Sequence, residues 1–202
     1  DVIGTDPYPI PEKPAGTALE WTRTTRDQSF GTRAVWQVPQ VFDWGCYRKG
    51  DERDRARSPT PQEMRGMAWQ CIAAGANGLV FYSFFDLSKP QAHDPFERRW
   101  PEVCAMAEEI KRYIPVLLSD EPAPAPACEG PASIEVRTWR QGRSVYLLVV
   151  NGASAPAAAT VSLGGALRVA QAEFGAAPRQ GQDGKLSFAL APLEPVLVRL
   201  EE

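Results

Sequence analysis

Apolar positions along this chain change their period part-way through. In the first half, three apolar runs stand out: Asp1–Ile10 (DVIGTDPYPI), Thr32–Phe42 (TRAVWQVPQVF) and Asn77–Asp86 (NGLVFYSFFD). Each reads as a strand, and each is followed by a segment with helical spacing. Strands alternating with helices predict parallel βα units. Beyond about residue 132 the period becomes two. Ile134, Val136 and Thr138 alternate with Glu135, Arg137 and Trp139, and Gln141-Gly142 supplies a hairpin turn into Ser144–Asn151. Shorter strands are expected at Ala159–Leu163, Leu167–Phe174, Leu186–Leu190 and Val196–Leu200, with Gly-rich turns at Gly164-Gly165 and Asp183-Gly184. Such spacing predicts a small antiparallel β-sandwich.

The helices differ in clarity. Ala15–Ser29 is threonine-rich and has no clean apolar stripe. Thr60 and Glu63 form a capping-box pattern with Pro61 at the first helical position, and Met64, Met67, Ala68, Cys71 and Ile72 follow on one face. Pro101 is expected to open a further helix carrying Val103, Met106, Ala107 and Ile110, which Pro115 ends or kinks. Asp43–Pro59, with its DERDRAR run, reads as a solvated loop. Ser119–Pro131 reads as a semi-extended Pro/Ala-rich linker.

The fold class expected is therefore α/β plus all-β. Residues 1–118 would be the last three βα units of a TIM-type (β/α)8 barrel, 119–131 a linker, and 132–202 the β-sandwich. Three parallel strands cannot close a sheet or cover both faces. The expected partner across the open edges is a missing N-terminal barrel segment or a second copy of the chain. A continuous run such as Gly78–Phe85 is expected to be covered on both faces.

Composition narrows the partners. The 202 residues carry a net charge of -3 and a pI near 5.4, which recommends neither nucleic acid nor an anionic membrane. No apolar run approaches the roughly 20 residues of a membrane span. Cys46, Cys71, Cys104 and Cys128 show no CxxC spacing and read as small buried hydrophobes. The one histidine, His93, falls in a polar loop and reads as a surface residue. With it alone and no HxH motif, a Ser-His-Asp triad or a metal-assisted site is not expected, and no cofactor is called for.

In a (β/α) barrel, chemistry sits just past the carboxyl ends of the strands. Those positions here hold Asp6 and Tyr8, then Gln37, Gln40, Asp43 and Trp44, then Tyr82, Ser83, Phe84 and Asp86. Aromatic faces among amides and carboxylates suit a sugar ring, which stacks its C–H face and hydrogen-bonds its hydroxyls. Tyr8, Gln37, Asp43, Trp44 and Tyr82 are the candidate substrate-binding residues, and Asp6, Gln40 and Asp86 the candidates for catalysis. Each has a plainer reading. Asp6 before Pro7 also suits an Asx turn, and Tyr82 and Phe84 also suit a barrel core.

Three motifs then carry a resemblance. Asp6-Pro7-Tyr8-Pro9, Val35-Trp36-Gln37-Val38-Pro39-Gln40-Val41-Phe42 and Ala73-Ala74-Gly75-Ala76-Asn77-Gly78-Leu79-Val80-Phe81-Tyr82-Ser83 resemble the last three βα units of a clan-A-type glycoside hydrolase barrel, of the β-galactosidase or cellulase kind. Val149-Val150-Asn151-Gly152 is similar to a turn in the C-terminal sandwich of such enzymes. The resemblance implies a bacterial-type hydrolase of O-glycosidic bonds in a poly- or oligosaccharide, extracellular or periplasmic. It also implies an acid/base glutamate after the fourth strand, which would lie outside these residues, and a nucleophile glutamate after the seventh. At that position this chain has Gln37 or Gln40, and glutamine is neither nucleophile nor base. Either another carboxylate serves, such as Asp6, Asp43 or Asp86, or the protein binds carbohydrate without cleaving it.

Overall fold

Three short strands, β1 (Val2–Thr5), β2 (Ala34–Gln37) and β3 (Gly78–Leu79), lie parallel in that order. Pro7 and Pro39, which cannot donate to a ladder, follow the first two closely. The computed structural model describes residues 1–165 and 167–201, so residues 166 and 202 of the expected 132–202 domain lie outside it. The chain divides into two compact units, Asp1–Ile110 and Lys111–Glu202.

In the first unit, helices alternate with the strands. Helix α1 (Thr17–Ser29) precedes β2, and a 3-10 turn (Trp44–Cys46), α2 (Gly50–Asp54) and α3 (Pro61–Ala73) precede β3. Thr22 and Thr25 donate to the carbonyls of Ala18 and Trp21, so α1 satisfies its hydroxyls against its own backbone. Helix α3 has the full capping box: the Glu63 amide donates to Thr60 Oγ1 and the Thr60 amide to the Glu63 carboxylate. Met64, Met67, Ala68 and Cys71 on this helix are at most 1% exposed. Burying a methionine of this kind stabilises the fold by roughly 1.5–3 kcal/mol.

Strand register fixes what each residue faces. Thr5 pairs with Gln37 and Gly4 with Trp36, which in turn pairs with Gly78. Thr5 meets Thr25 of α1 (Oγ1–Oγ1 3.2 Å), so Thr5 and Gln37 point into the helix layer. Trp36 lies on the opposite face, 46% exposed. A Cβ at Gly78 would come within 2.8 Å of the Trp36 indole, so glycine there lets the indole lie across β3.

Several expectations need correction. Gly78–Phe85 is not a long strand covered on both faces. Only Gly78 and Leu79 are strand, a single parallel bridge joins Tyr82 to Gln40, and α4 (Phe84–Leu87) follows. Val80, Tyr82, Phe84 and Phe85 are all exposed, the last two on α4 and not on a strand. Asp43–Pro59 holds the 3-10 turn, capped by the Asp43 side chain, and α2, which begins at Gly50 with a positive φ. Pro101 lies inside α5 (Phe96–Arg112), which starts earlier because the Pro95 carbonyl accepts from the Arg98 and Arg99 amides. Of the four cysteines only Cys71 is fully buried.

In the second unit, α6 (Ile114–Leu117) is followed by two four-stranded antiparallel sheets. One has the order β4 (Ala127–Glu129), β7 (Ala157–Ser162), β10 (Leu186–Leu190), β9 (Arg179–Gln180). The other has the order β5 (Ile134–Gln141), β6 (Ser144–Asn151), β11 (Pro195–Glu201), β8 (Arg168–Phe174). Strand β4 falls within the Pro/Ala-rich stretch, where Cys128 pairs with Val161. Strands β5 and β6 turn through Gly142, whose positive φ at the first loop position suits a tight hairpin. Ile134, Val145, Leu147, Val149, Val196 and Val198 of one sheet and Val161, Leu186, Phe188 and Leu190 of the other form one core.

Candidate functional site: an aromatic cluster at the strand ends

The chain segments leaving β1, β2 and β3 bring together Tyr8, Phe42, Trp44, Tyr47 and Tyr82. Phe42, 1% exposed, is the hub. Tyr8, Trp44, Tyr47 and Tyr82 pack on it edge-on, with centroids 5.0 to 5.7 Å away. Tyr8 and Tyr82 stack on each other at 5.6 Å and 29°. Offset and T-shaped pairs of this kind contribute about 0.5–1.5 kcal/mol each beyond area burial. Around the hub, Tyr82 is 41% and Tyr47 49% exposed, so the cluster is buried at its base and open at its rim.

The 3-10 turn explains the pairing of Trp44 with Tyr47. Residues three apart eclipse each other in such a turn, so both rings leave the same side. Arg48 lies over the Trp44 ring at 4.9 Å and is itself paired with Glu12, and Lys89 lies over Tyr47 at 4.0 Å. Trp44 Nε1 donates to the Tyr8 carbonyl at 3.4 Å.

Asp86 sits beneath the tyrosines, 2% exposed. Tyr47 Oη donates to both of its oxygens at 2.8 and 2.7 Å, Ser83 Oγ also donates, and Lys89 Nζ is 2.5 Å away. Burial would raise this carboxyl, but the bonds from Lys89, Ser83 and Tyr47 outweigh it and hold it below the usual carboxylate range. Burial, then the charges of Asp6, Tyr82 and Asp86, pushes the Tyr8 hydroxyl up. Burial and the bonds with Tyr82 and Asp86 push Tyr47 up likewise. Both tyrosines are therefore neutral donors at physiological pH. Cys46 is raised to about 11 by burial and the nearby Asp43 and Asp86, so it is a thiol and not a nucleophile.

The expected site residues divide sharply. Tyr8, Trp44 and Tyr82 converge, and Asp6 stands exposed beside them, its charge felt at the Tyr8 hydroxyl. Gln37 does not reach this cluster: it is fully buried in the helix layer, where Thr5 Oγ1 donates to its Oε1 at 2.8 Å. Gln40 is equally buried and holds backbone, donating from Nε2 to the carbonyls of Ile10 and Phe42 and accepting the Ile10 amide at Oε1. Asp43, 2% exposed, accepts from the Gly45 amide, the His93 amide and His93 Nδ1. Its oxygens face inward, which corrects its expected place among the sugar ligands. Asp86 is a buried anchor for Tyr47, Ser83 and Lys89 and offers no free oxygen for catalysis.

Tyr47, Lys89 and His93 were not expected in this neighbourhood. The Trp44–Tyr47 spacing was a usable signal for Tyr47; a seven-residue gap in a polar loop gave none for His93. Among the described residues, no group of three or more His, Cys, Asp or Glu side chains is placed to hold a metal ion. Among them, too, no helix is long and apolar enough to cross a membrane.

An alpha-amylase from H. orenii superposes at TM-score 0.51 with 9% identity, covering 98% of this chain and 49% of that one. An Anoxybacillus alpha-amylase, described with a new glycosyl hydrolase subclass, gives TM-score 0.50 and 11% identity over 93% of this chain and 45% of its own. A GH30 endoxylanase from Clostridium papyrosolvens gives TM-score 0.44 and 9% identity over 100% of this chain and 49% of that one. The fold is similar to part of the two alpha-amylase structures. This chain spans less than half the length of the solved structures it matches. No family model and no curated protein matches the sequence.

Proposed function

We propose that this chain is the closing part of a glycoside hydrolase barrel and that its strand ends line a carbohydrate cleft. Residues 1–118 are the last three βα units of a (β/α)8 barrel, 119–131 a linker, and 132–202 a β-sandwich. The open edges of β1 and β3 are met by a preceding barrel segment or by a second copy. The observation that carries the reading is the convergence of Tyr8, Trp44 and Tyr82, from three separate strand ends, around one buried phenylalanine. Exposed aromatic rims over a fixed base suit the C–H face of a sugar; the neutral Tyr8 hydroxyl can donate to its oxygens, and Tyr47 Oη, whose proton goes to Asp86, can accept from its hydroxyls. Asp6 is the exposed carboxylate of the set and takes the role left vacant by Gln40 and Asp86.

A second reading has a specific observation behind it. Gln40, Asp43 and Asp86 are all committed to internal bonds, which suits a carbohydrate-binding protein with a degenerate barrel. Calorimetry with oligosaccharides and turnover of a panel of aryl glycosides by the full-length protein separate the two. Binding with turnover supports the hydrolase, and binding without turnover supports the binding protein. No binding of any sugar would sink both.

A further inference from the structure

Tyr47 stands at the rim of the aromatic cluster, 49% exposed, yet its ring and its proton are both engaged. Lys89 Nζ lies over the ring at 4.0 Å, and Phe42 meets it edge-on at 5.7 Å. Oη lies 2.8 and 2.7 Å from the two oxygens of Asp86, and a carboxylate only accepts, so the hydroxyl proton points there. Asp86 cannot turn away: it is 2% exposed and also holds Ser83 Oγ and Lys89 Nζ, bonds that keep it ionised. What Tyr47 offers the cleft is therefore the lone pairs of Oη.

Tyr82 Oη, with a proton of its own, lies 3.4 Å from Tyr47 Oη at the exposed edge. That gap is long beside the usual hydroxyl–hydroxyl length of about 2.7–2.8 Å, and one further hydroxyl oxygen can sit within bonding distance of both. Neither phenol drifts freely, because Tyr82 stacks on Tyr8 at 5.6 Å and Tyr47 is tied to Asp86.

The geometry points to Tyr47 Oη and Tyr82 Oη as a clip for one free hydroxyl of the sugar, which donates to Tyr47 and accepts from Tyr82. This inference rests on the sugar-cleft reading and deepens it by naming the substrate class: sugars whose hydroxyl at this edge is unsubstituted. Asp86 is a positioning residue, since by taking the Tyr47 proton it gives the clip its direction. Fluorine or an ether oxygen in place of that hydroxyl can accept from Tyr82 but has nothing to donate to Tyr47.

Calorimetry on the full-length protein tests this. Titration with cellotriose, maltotriose, xylotriose and galactobiose selects a sugar that binds, and its monodeoxy and monodeoxyfluoro forms are then compared with it. At one hydroxyl position both replacements should weaken binding by about two- to tenfold, the usual worth of a neutral hydrogen bond. Tyr47→Phe should abolish the penalty at that position and leave the others. In Asp86→Asn, Nδ2 meets Tyr47 in either orientation of the amide, because Tyr47 touches both carboxylate oxygens. The Tyr47 proton can then turn to the ligand, so the fluoro form should regain affinity relative to its parent. A fluoro form that matches its parent at every position overturns the clip, as does a set of penalties that Tyr47→Phe leaves unchanged. Asp86→Asn that weakens every analogue by one common factor removes the direction assigned to the clip and overturns the proposal too. These outcomes leave the cleft intact, whereas absence of binding by all four sugars removes the cleft reading itself.

Discussion

Gln40 closes both backbone groups of Ile10, accepting its amide at Oε1 and donating from Nε2 to its carbonyl, each at 2.9 Å. The same Nε2 donates to the Phe42 carbonyl at 3.0 Å. One buried amide thus joins the segment leaving β1 to the segment leaving β2, and fixes Tyr8 relative to Phe42.

Restoring a glutamate here should not create a nucleophile. Gln40→Glu replaces a donor to two carbonyls with a carboxylate facing them, in a position with no solvent access. Burying unsatisfied or repelling polar groups costs about 1–3 kcal/mol each, more when charged. The expected outcome is a clear loss in chemical-denaturation midpoint and no gain in glycoside turnover. A stable, more active variant would return Gln40 to the catalytic site.

How much of this was legible in the sequence follows from what each signal reports. The α3 capping box and the period-two tail depend on local geometry, and Thr60, Glu63 and Val145–Asn151 adopt the expected states. The aromatic convergence was legible as a position in the chain, because Pro7 and Pro39 mark where the first two strands end. What could not be read was direction. Gln37 lies next to a strand end, but its register with Thr5 turns it toward α1. Likewise, donors to Asp43 and Asp86 come from residues up to 50 positions away, and no local spacing encodes them.

Asp86 makes a pH prediction with a definite sign. Its folded-state carboxyl lies below the ordinary value, so its contribution to stability is present above about pH 3.9 and is lost as pH falls through the lower, folded value. Asp86→Asn should therefore be less stable than the unsubstituted protein at pH 7, by about 1.5–3 kcal/mol for charge-assisted bonds. The two should approach each other below pH 4. Denaturant midpoints measured from pH 3 to 8 check this, and a gap that widens in acid would contradict it.

In the second unit, Asn151 plays the part that Gln40 plays in the first. It is fully buried; Nδ2 donates to the carbonyls of Ala155 and Ala191 at 2.8 and 3.0 Å, and Oδ1 accepts the Ala153 amide at 3.0 Å. Asn151→Ala strands two carbonyls and an amide, and should lower the unfolding free energy by several kcal/mol, at about 1–3 for each group left unsatisfied. Loss of less than 1 kcal/mol in a denaturant titration would mean that water replaces the side chain.

Trp44→Ala tests the cleft most directly. The indole is half-buried, packs on Phe42 at 5.0 Å and carries Arg48 on its face, so removing it deletes a platform and frees the arginine. The base of the cluster should survive, because Tyr8 and Tyr82 still stack on each other and on Phe42. A ring contact worth 0.5–1.5 kcal/mol corresponds to up to about a tenfold rise in the dissociation constant for an oligosaccharide. Trp21→Ala is the matched control: that indole lies on α1, is 40% exposed and has Lys13 over its ring. Calorimetric titrations of both variants with the same sugar should show weakening in Trp44→Ala alone. If the two weaken equally, or if neither does, Trp44 is not a platform, and the role of the cluster is to hold the strand ends together.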